Sequence, residues 1–228
     1  MDHDSGIIVA NDVTQDCTDH NQLQPQVEKT EENIGDLPKG VGMSFDNGYY
    51  SGRNLQYLGE KEIDGYIPNS KQAQKAKGKK IKDNPYSKDK FEYVPDQKDL
   101  KLLQISNLQD VPDRDCFICP EGEVLTRKGA YELDNKVQYA YYGADCRKCT
   151  HKQECVGKTG GTRVITSDEY ETERRRMCGK MQTKEGKEEY KKRGESVEWV
   201  FGNIKQNIGL REFLTRGIDR VRRAFLLP

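Results

Sequence analysis

Val41-Gly-Met-Ser-Phe45-Asp46-Asn-Gly48-Tyr49-Tyr-Ser-Gly-Arg-Asn54-Leu55 is the stretch on which the fold turns. The apolar run at 41–45 reads as a buried strand that delivers Asp46 at its carboxyl end, and Gly48 opens a turn. Residues 51–58 then take helical spacing, with Asn54, Leu55 and Leu58 on neighbouring faces, and residues 63–68 return as a short strand. Upstream, Gly6-Ile-Ile-Val-Ala10 reads as another strand, residues 14–25 as a looser polar stretch and residues 26–34 as a helix ended by Gly35-Asp-Leu-Pro38. Strands alternating with helices predict an α/β fold. In such sheets, sites collect at the carboxyl ends of strands, where Asp46 stands; a turn aspartate capping the next helix is the plainer role for the same residue.

Beyond this block the character changes. Residues 69–110 are rich in lysine, with Pro85 and Pro95, and read as a loop or linker with an extended piece near 91–94. Residues 111–166 carry five of the seven cysteines and short alternating stretches such as 136–142, which predict a small β-rich insertion. Cys116-x2-Cys119 and Cys146-x2-Cys149 have zinc-ribbon spacing, so a tetrahedral thiolate site for structural Zn2+ is one reading, with Cys155 or His151 able to replace a ligand. Reduced cysteines packed in a small core are the other. From 168 onward helical character returns, over 168–180 and 185–206.

The last long helix reads Tyr190-Lys-Lys-Arg193-Gly-Glu-Ser-Val-Glu198-Trp-Val-Phe-Gly-Asn-Ile-Lys205. Tyr190, Val197, Phe201 and Ile204 form an apolar stripe. Glu198 and Lys205, two turns apart, share a second face with Arg193 and Tyr190 near it. A carboxylate there can hold a divalent metal, and arginine and lysine can grip phosphates, or the charges can pair locally, as Lys191 with Glu195 at i,i+4. Gly194 inside this helix implies the close approach of another backbone.

Composition sets outer bounds. The chain has 228 residues, 33% of them hydrophobic and 33% charged, so a core forms without extending along the whole length. No run approaches the ~20 apolar residues of a membrane span. The N-terminus lacks a signal-like segment, so the cytoplasm is the expected compartment, where cysteines favour metal ligation over disulfides. Zero net charge conceals an asymmetry: residues 1–64 hold 13 acidic and 4 basic side chains, whereas 160–228 hold 16 basic and 11 acidic. Six lysines and no acid lie within residues 71–82, a cationic run that can be a solvated loop or a nucleic-acid contact.

Tyr-x2-Arg followed by Glu-x6-Lys at 190–205 resembles the C-terminal signature of insertion-sequence DDE transposases. The Asp46 block resembles that family's segment around its second catalytic aspartate, and Gly209-Leu-Arg-Glu-Phe213-Leu-Thr-Arg216-Gly217-Ile-Asp-Arg-Val221 resembles its tail. The resemblance implies an RNase H-like catalytic domain formed by 1–68 and 167–228, broken by a linker at 69–110 and a cysteine-rich insertion at 111–166. It implies Asp46 and Glu198 as ligands of catalytic Mg2+ or Mn2+, with Tyr190, Arg193, Lys205 and Arg216 on DNA. The activity implied is metal-dependent DNA cleavage and strand transfer in transposition, with element ends and target DNA as partners, a second copy or an intact transposase beside it, and a nucleoid-associated bacterial location. Asp19, in Asp19-His-Asn-Gln22-Leu23, takes a supporting role. The family's first aspartate falls upstream of the matching region, so a truncated copy with impaired activity is expected, or a non-catalytic zinc-containing DNA-binding remnant.

Overall fold

The structure, a computed structural model, describes residues 1–96, 115–133, 136–143, 146–158, 160–207, 209 and 216–225. The chain divides into two compact units: Met1–Lys80 together with Glu173–Pro228, and Ile81–Thr172.

The first unit is built on a β-α-β element. Strands β1 (Gly42–Ser44) and β2 (Asp64–Tyr66) pair in parallel, with Gly42 opposite Asp64 and Ser44 opposite Tyr66. Parallel strands need a long crossover. Helix α2 (Gly52–Glu60) supplies it, started by Ser51, whose hydroxyl accepts the Asn54 N–H at 3.2 Å. The helix lies close on the returning strand because position 65 has no side chain: a Cβ there would stand 2.5 Å from Leu58 Cδ1. Helix α1 (Leu23–Ile34) precedes β1, with Pro25 in its first turn, where a missing N–H costs nothing. Helix α3 (Ser70–Ala76) follows β2.

The C-terminal part adds α5 (Glu171–Lys180) and α6 (Lys184–Arg193), then one π-helical stretch, Gly194–Glu198, α7 (Trp199–Gln206) and α8 (Ile218–Phe225). The core of this unit joins residues distant in sequence: Leu23 and Val27 of α1, Leu55 and Leu58 of α2, Ile63, Tyr66 and Ile67 around β2, and Met177 and Met181. The Met177 thioether also accepts the Ile67 N–H at 3.5 Å.

The second unit is an antiparallel sheet in the order β3-β4-β5-β6-β7: Glu92–Val94, Cys116–Ile118, Val124–Leu133, Lys136–Gly143 and Val164–Ser167. A short helix, α4 (Lys152–Cys155), sits between β6 and β7. Tyr86, Phe91, Phe117, Leu125, Tyr141 and Ile165 form its core. Asp115 is buried beside them: it accepts the hydroxyls of Tyr141 and Tyr93 and faces Arg127 Nη1 at 3.0 Å. A buried charge persists only when satisfied in this way.

The architecture is mixed α/β, as expected, and consistent with the RNase H-like class. Three expectations need correction. Residues 6–10 form no strand; Ile7 and Ile8 are 63% and 46% exposed, because an apolar run becomes a strand only where an edge is offered to it. The lysine-rich region read as loop begins with helix α3. The long C-terminal helix runs without a break over 184–206 but changes its winding at Gly194, and a Cβ added there meets nothing within 4 Å, so the glycine marks no close backbone approach. Residues 97–114, part of the expected linker and insertion, and 210–215 of the expected tail lie outside the described residues.

Ile67→Ala, at a fully buried site, is expected to destabilise the first unit by about 2–5 kcal/mol, read as a lowered urea midpoint. Alkali should act on the second unit. Burial and the neighbouring Asp115 raise the Tyr141 hydroxyl above its ordinary value of 10.0. The folded state therefore holds this proton more tightly than the unfolded chain, and stability is expected to fall as pH rises past that value, by titration of unfolding midpoints; Tyr141→Phe should flatten the decline.

Candidate metal and phosphate site

Asp46 stands two residues beyond β1, at the carboxyl end of the parallel strand pair. Its backbone is extended, and its Oδ1 accepts the Gly48 N–H at 2.8 Å, so it starts the single 3-10 turn Asn47–Tyr49. The capping role and a ligand role therefore coexist: one oxygen is used by the turn and the other is directed elsewhere. Asp46 Oδ2 lies 3.6 Å from Arg193 Nη2, with the two side chains 39% and 23% exposed. Helix α6 reaches this strand end, where the Ser44 hydroxyl donates to the Glu189 carbonyl at 3.4 Å.

A second carboxylate arrives from a different turn. Asp19 begins the 3-10 turn Asp19–Asn21, and a Cβ at position 48 would stand 2.9 Å from Asp46 Oδ1 and 3.1 Å from Asp19 Oδ2. Gly48 is thus the space that lets the two acidic groups approach. Tyr49 records the same surroundings: burial first, then the charges of Asp19 and Asp46, raise its hydroxyl above the ordinary value, while Arg193 acts in the opposite sense.

The two turns are tied by Asn54. This side chain is 4% exposed, and its Nδ2 donates to the His20 carbonyl at 2.9 Å and to the Tyr49 carbonyl at 2.8 Å. Both hydrogens of the amide are consumed, one on each turn. The sequence assigns Asp19 only a supporting role and does not mark Asn54 as a site residue. The Asp46–Asn54 spacing held a clue, since a polar residue on the inner side of an amphipathic helix needs a partner.

Tyr190 is half-buried against the first unit's core, one turn before Arg193 on α6. Glu198 closes the π-helical stretch; its side chain lies outside the described residues. Lys191 Nζ lies 3.6 Å from Glu195 Oε1, the local pairing expected at i,i+4. Lys205 near the end of α7 and Arg216 before α8 are exposed. The structure brings Asp46 and Arg193 together, and leaves Lys205 and Arg216 on later elements.

Hard, partly exposed carboxylate oxygens suit a small divalent cation in kind. Among the described residues, no group of three or more His, Cys, Asp or Glu side chains stands so as to hold a metal ion. This bears on the cysteines as well. Cys116 is 2% exposed within β4, and its thiol is raised by burial and by Asp115 and Glu92. Cys155, by contrast, is raised by burial and feels Cys146, Cys119 and Cys149 around it. Cys119 Sγ accepts the Glu123 N–H and Cys146 Sγ the Arg163 N–H, each at 3.3 Å. His151 faces Glu121 at 3.8 Å.

A carboxylate pair at the end of a parallel strand, faced by an arginine, is the equipment of an α/β domain that handles phosphates. Residues 118–228, a little under half of the chain, match the family described as Transposase DDE domain. The match includes the signature from Tyr190 to Lys205, while the Asp46 block lies outside it. No curated protein and no solved structure matches the chain. Among the described residues, no helix is long and apolar enough to cross a membrane.

Gly48→Ala should force the Asp46 and Asp19 carboxylates apart. The expected outcome is a fold retained by circular dichroism, with the tyrosine titration near Tyr49 shifted toward its ordinary value. Asn54→Ala removes two buried hydrogen bonds and should cost about 1–3 kcal/mol in chemical denaturation.

Proposed function

We propose that this chain carries the DNA-processing chemistry of a DDE transposase: metal-dependent phosphodiester hydrolysis at element ends, followed by attack of the freed 3′-hydroxyl on target DNA. The observation that carries the reading is the approach of Arg193 to Asp46 at the end of β1, joined to the family match over the segment that holds Arg193 and Glu198. Asp46 and Glu198 would hold Mg2+ or Mn2+. Bound there, a divalent cation supplies Lewis-acid polarisation of a phosphoryl group and a lowered pKa for water.

The chain's own side chains do the rest. Arg193 presents two parallel N–H donors, which suit a phosphate as well as the carboxylate it now faces. The Asp46 turn keeps one oxygen fixed by the Gly48 N–H, which orients the other. Asp19 adds negative charge beside it, deepening the attraction for a cation. Tyr190 anchors α6 in the core and thereby sets the position of Arg193. Lys205 and Arg216 are assigned to the DNA backbone. Water and hydroxyl act as successive nucleophiles, so no protein–DNA covalent bond forms.

In this reading the RNase H-like domain comprises 1–68 and 167–228, joined by the lysine-rich 69–110 and interrupted by the cysteine-rich 111–166. The division into a discontinuous and an inserted unit supports it. Two element ends must meet, so the partner is a second copy or an intact transposase, working on the nucleoid.

The test is nicking of supercoiled DNA by the purified chain with Mn2+. Asp46→Asn and Glu198→Gln should each abolish it, and Arg193→Gln should slow it by on the order of 100-fold, the loss typical of one transition-state donor. Nicking that survives Glu198→Gln would reject the site. Salt-dependent DNA binding with no cleavage would point to the non-catalytic remnant.

A further inference from the structure

The lysine run is better ordered than its composition suggests. Within residues 71–82 there are six lysines and no acid. Lys71, Lys75, Lys77, Lys79 and Lys80 are all exposed. Yet the backbone that carries them is fixed at both ends. Asn69 and Gln72 form a reciprocal capping box at the start of α3, with bonds of 2.9 and 3.0 Å. At the other end Gly78 takes a φ of 75°, its N–H donates to the Lys75 carbonyl at 2.9 Å, and the Lys79 N–H donates to the Gln74 carbonyl at 3.0 Å. These are the paired bonds of a Schellman closure. A helix of two turns does not persist alone in water. This one is docked through Ala73, 6% exposed, and through Gln72 Nε2, which donates to the Cys178 carbonyl of α5 at 2.9 Å.

Both motifs hold a segment whose charges repel each other. The helix dipole relieves the cations at its C-terminal end by only a few tenths of a kcal/mol. Solvated lysines on a floppy loop would avoid the repulsion by spreading. Here Lys75 to Lys80 are kept within one helical turn and its closure, which maximises local positive potential.

We propose that α3 and its closure form a sequence-independent clamp for the DNA phosphate backbone, with Lys75, Lys77, Lys79 and Lys80 as the contacting cations. The inference rests on the reading of the chain as DNA-handling. It adds a set of cations outside the Asp46 turn, and one that can bind a duplex whatever its base sequence. Each lysine that neutralises a phosphate releases a counterion, so binding should be steeply salt-dependent.

The test compares three proteins on one arbitrary-sequence duplex by fluorescence anisotropy across a salt series: wild type, the Lys75→Gln, Lys77→Gln, Lys79→Gln, Lys80→Gln variant, and the same four positions changed to Arg. The glutamine variant should lower the slope of log K against log salt by roughly 3–4, about 0.9 for each lost phosphate contact. The arginine variant should keep the wild-type slope. Circular dichroism should be unchanged, since all four positions are exposed. A wild-type slope in the glutamine variant overturns the clamp while leaving the DNA reading intact. A flat salt response in the wild type removes the DNA reading and the clamp with it.

Discussion

One buried amide determines whether the site exists. Asn54 spends both Nδ2 hydrogens on two carbonyls that belong to different turns, His20 and Tyr49, 34 and 5 positions away. Those turns begin with Asp19 and Asp46, whose carboxylates would otherwise repel and drift apart. A hydrogen bond in a buried place contributes about 1 kcal/mol net, but leaving its partner unsatisfied costs more, so the arrangement resists loosening. The helix that holds Asn54 is itself capped by Ser51, three residues earlier, and sealed by Leu55 and Leu58. Local capping, core packing and site geometry therefore converge on one turn of α2.

The contact between Arg193 and Asp46 has a different character. At 3.6 Å, and with both side chains partly exposed, it adds at most about 1 kcal/mol to stability. Its value is electrostatic. A guanidinium poised over a carboxylate at a strand end keeps the negative charge local until a cation or a phosphate competes for one of the partners. The hydrophobic cluster from Leu23 to Met181 bears the structural load, and the polar groups are free to exchange partners.

Much of this was legible in the residues. The β1–α2–β2 order could be read because its apolar residues keep regular spacing and Ser51 and Gly48 punctuate them. The antiparallel stretch at 136–143 announced itself by alternation. Residues 6–10 misled because periodicity says nothing about whether a neighbouring edge is on offer. Helix α3 hid behind its charge, since its stability comes from Asn69, Gln72 and a contact with Cys178 more than a hundred positions away. The link from Asn54 to His20 and the π winding at 194–198 were beyond reach for the same reason: both are set by tertiary packing, which pairs positions that no local pattern relates. Among the cysteines, two identical Cys-x2-Cys spacings suggested equivalence, but Cys116 is buried within β4, whereas Cys119, Cys146, Cys149 and Cys155 are half-buried.

The division of the chain has a consequence for how it comes off the ribosome. Its inserted unit is continuous, so all its strands are available once residue 172 has emerged. The outer unit must wait, because the methionines that complete its interior, Met177 and Met181, are made more than a hundred residues after Ile67. During that interval Leu23, Val27, Leu55 and Ile67 have no full cover. Nascent chains of this design expose a greasy half-core for seconds at ordinary synthesis rates, which makes the early segment a natural client for chaperones, and the late helices the lid that ends its dependence on them.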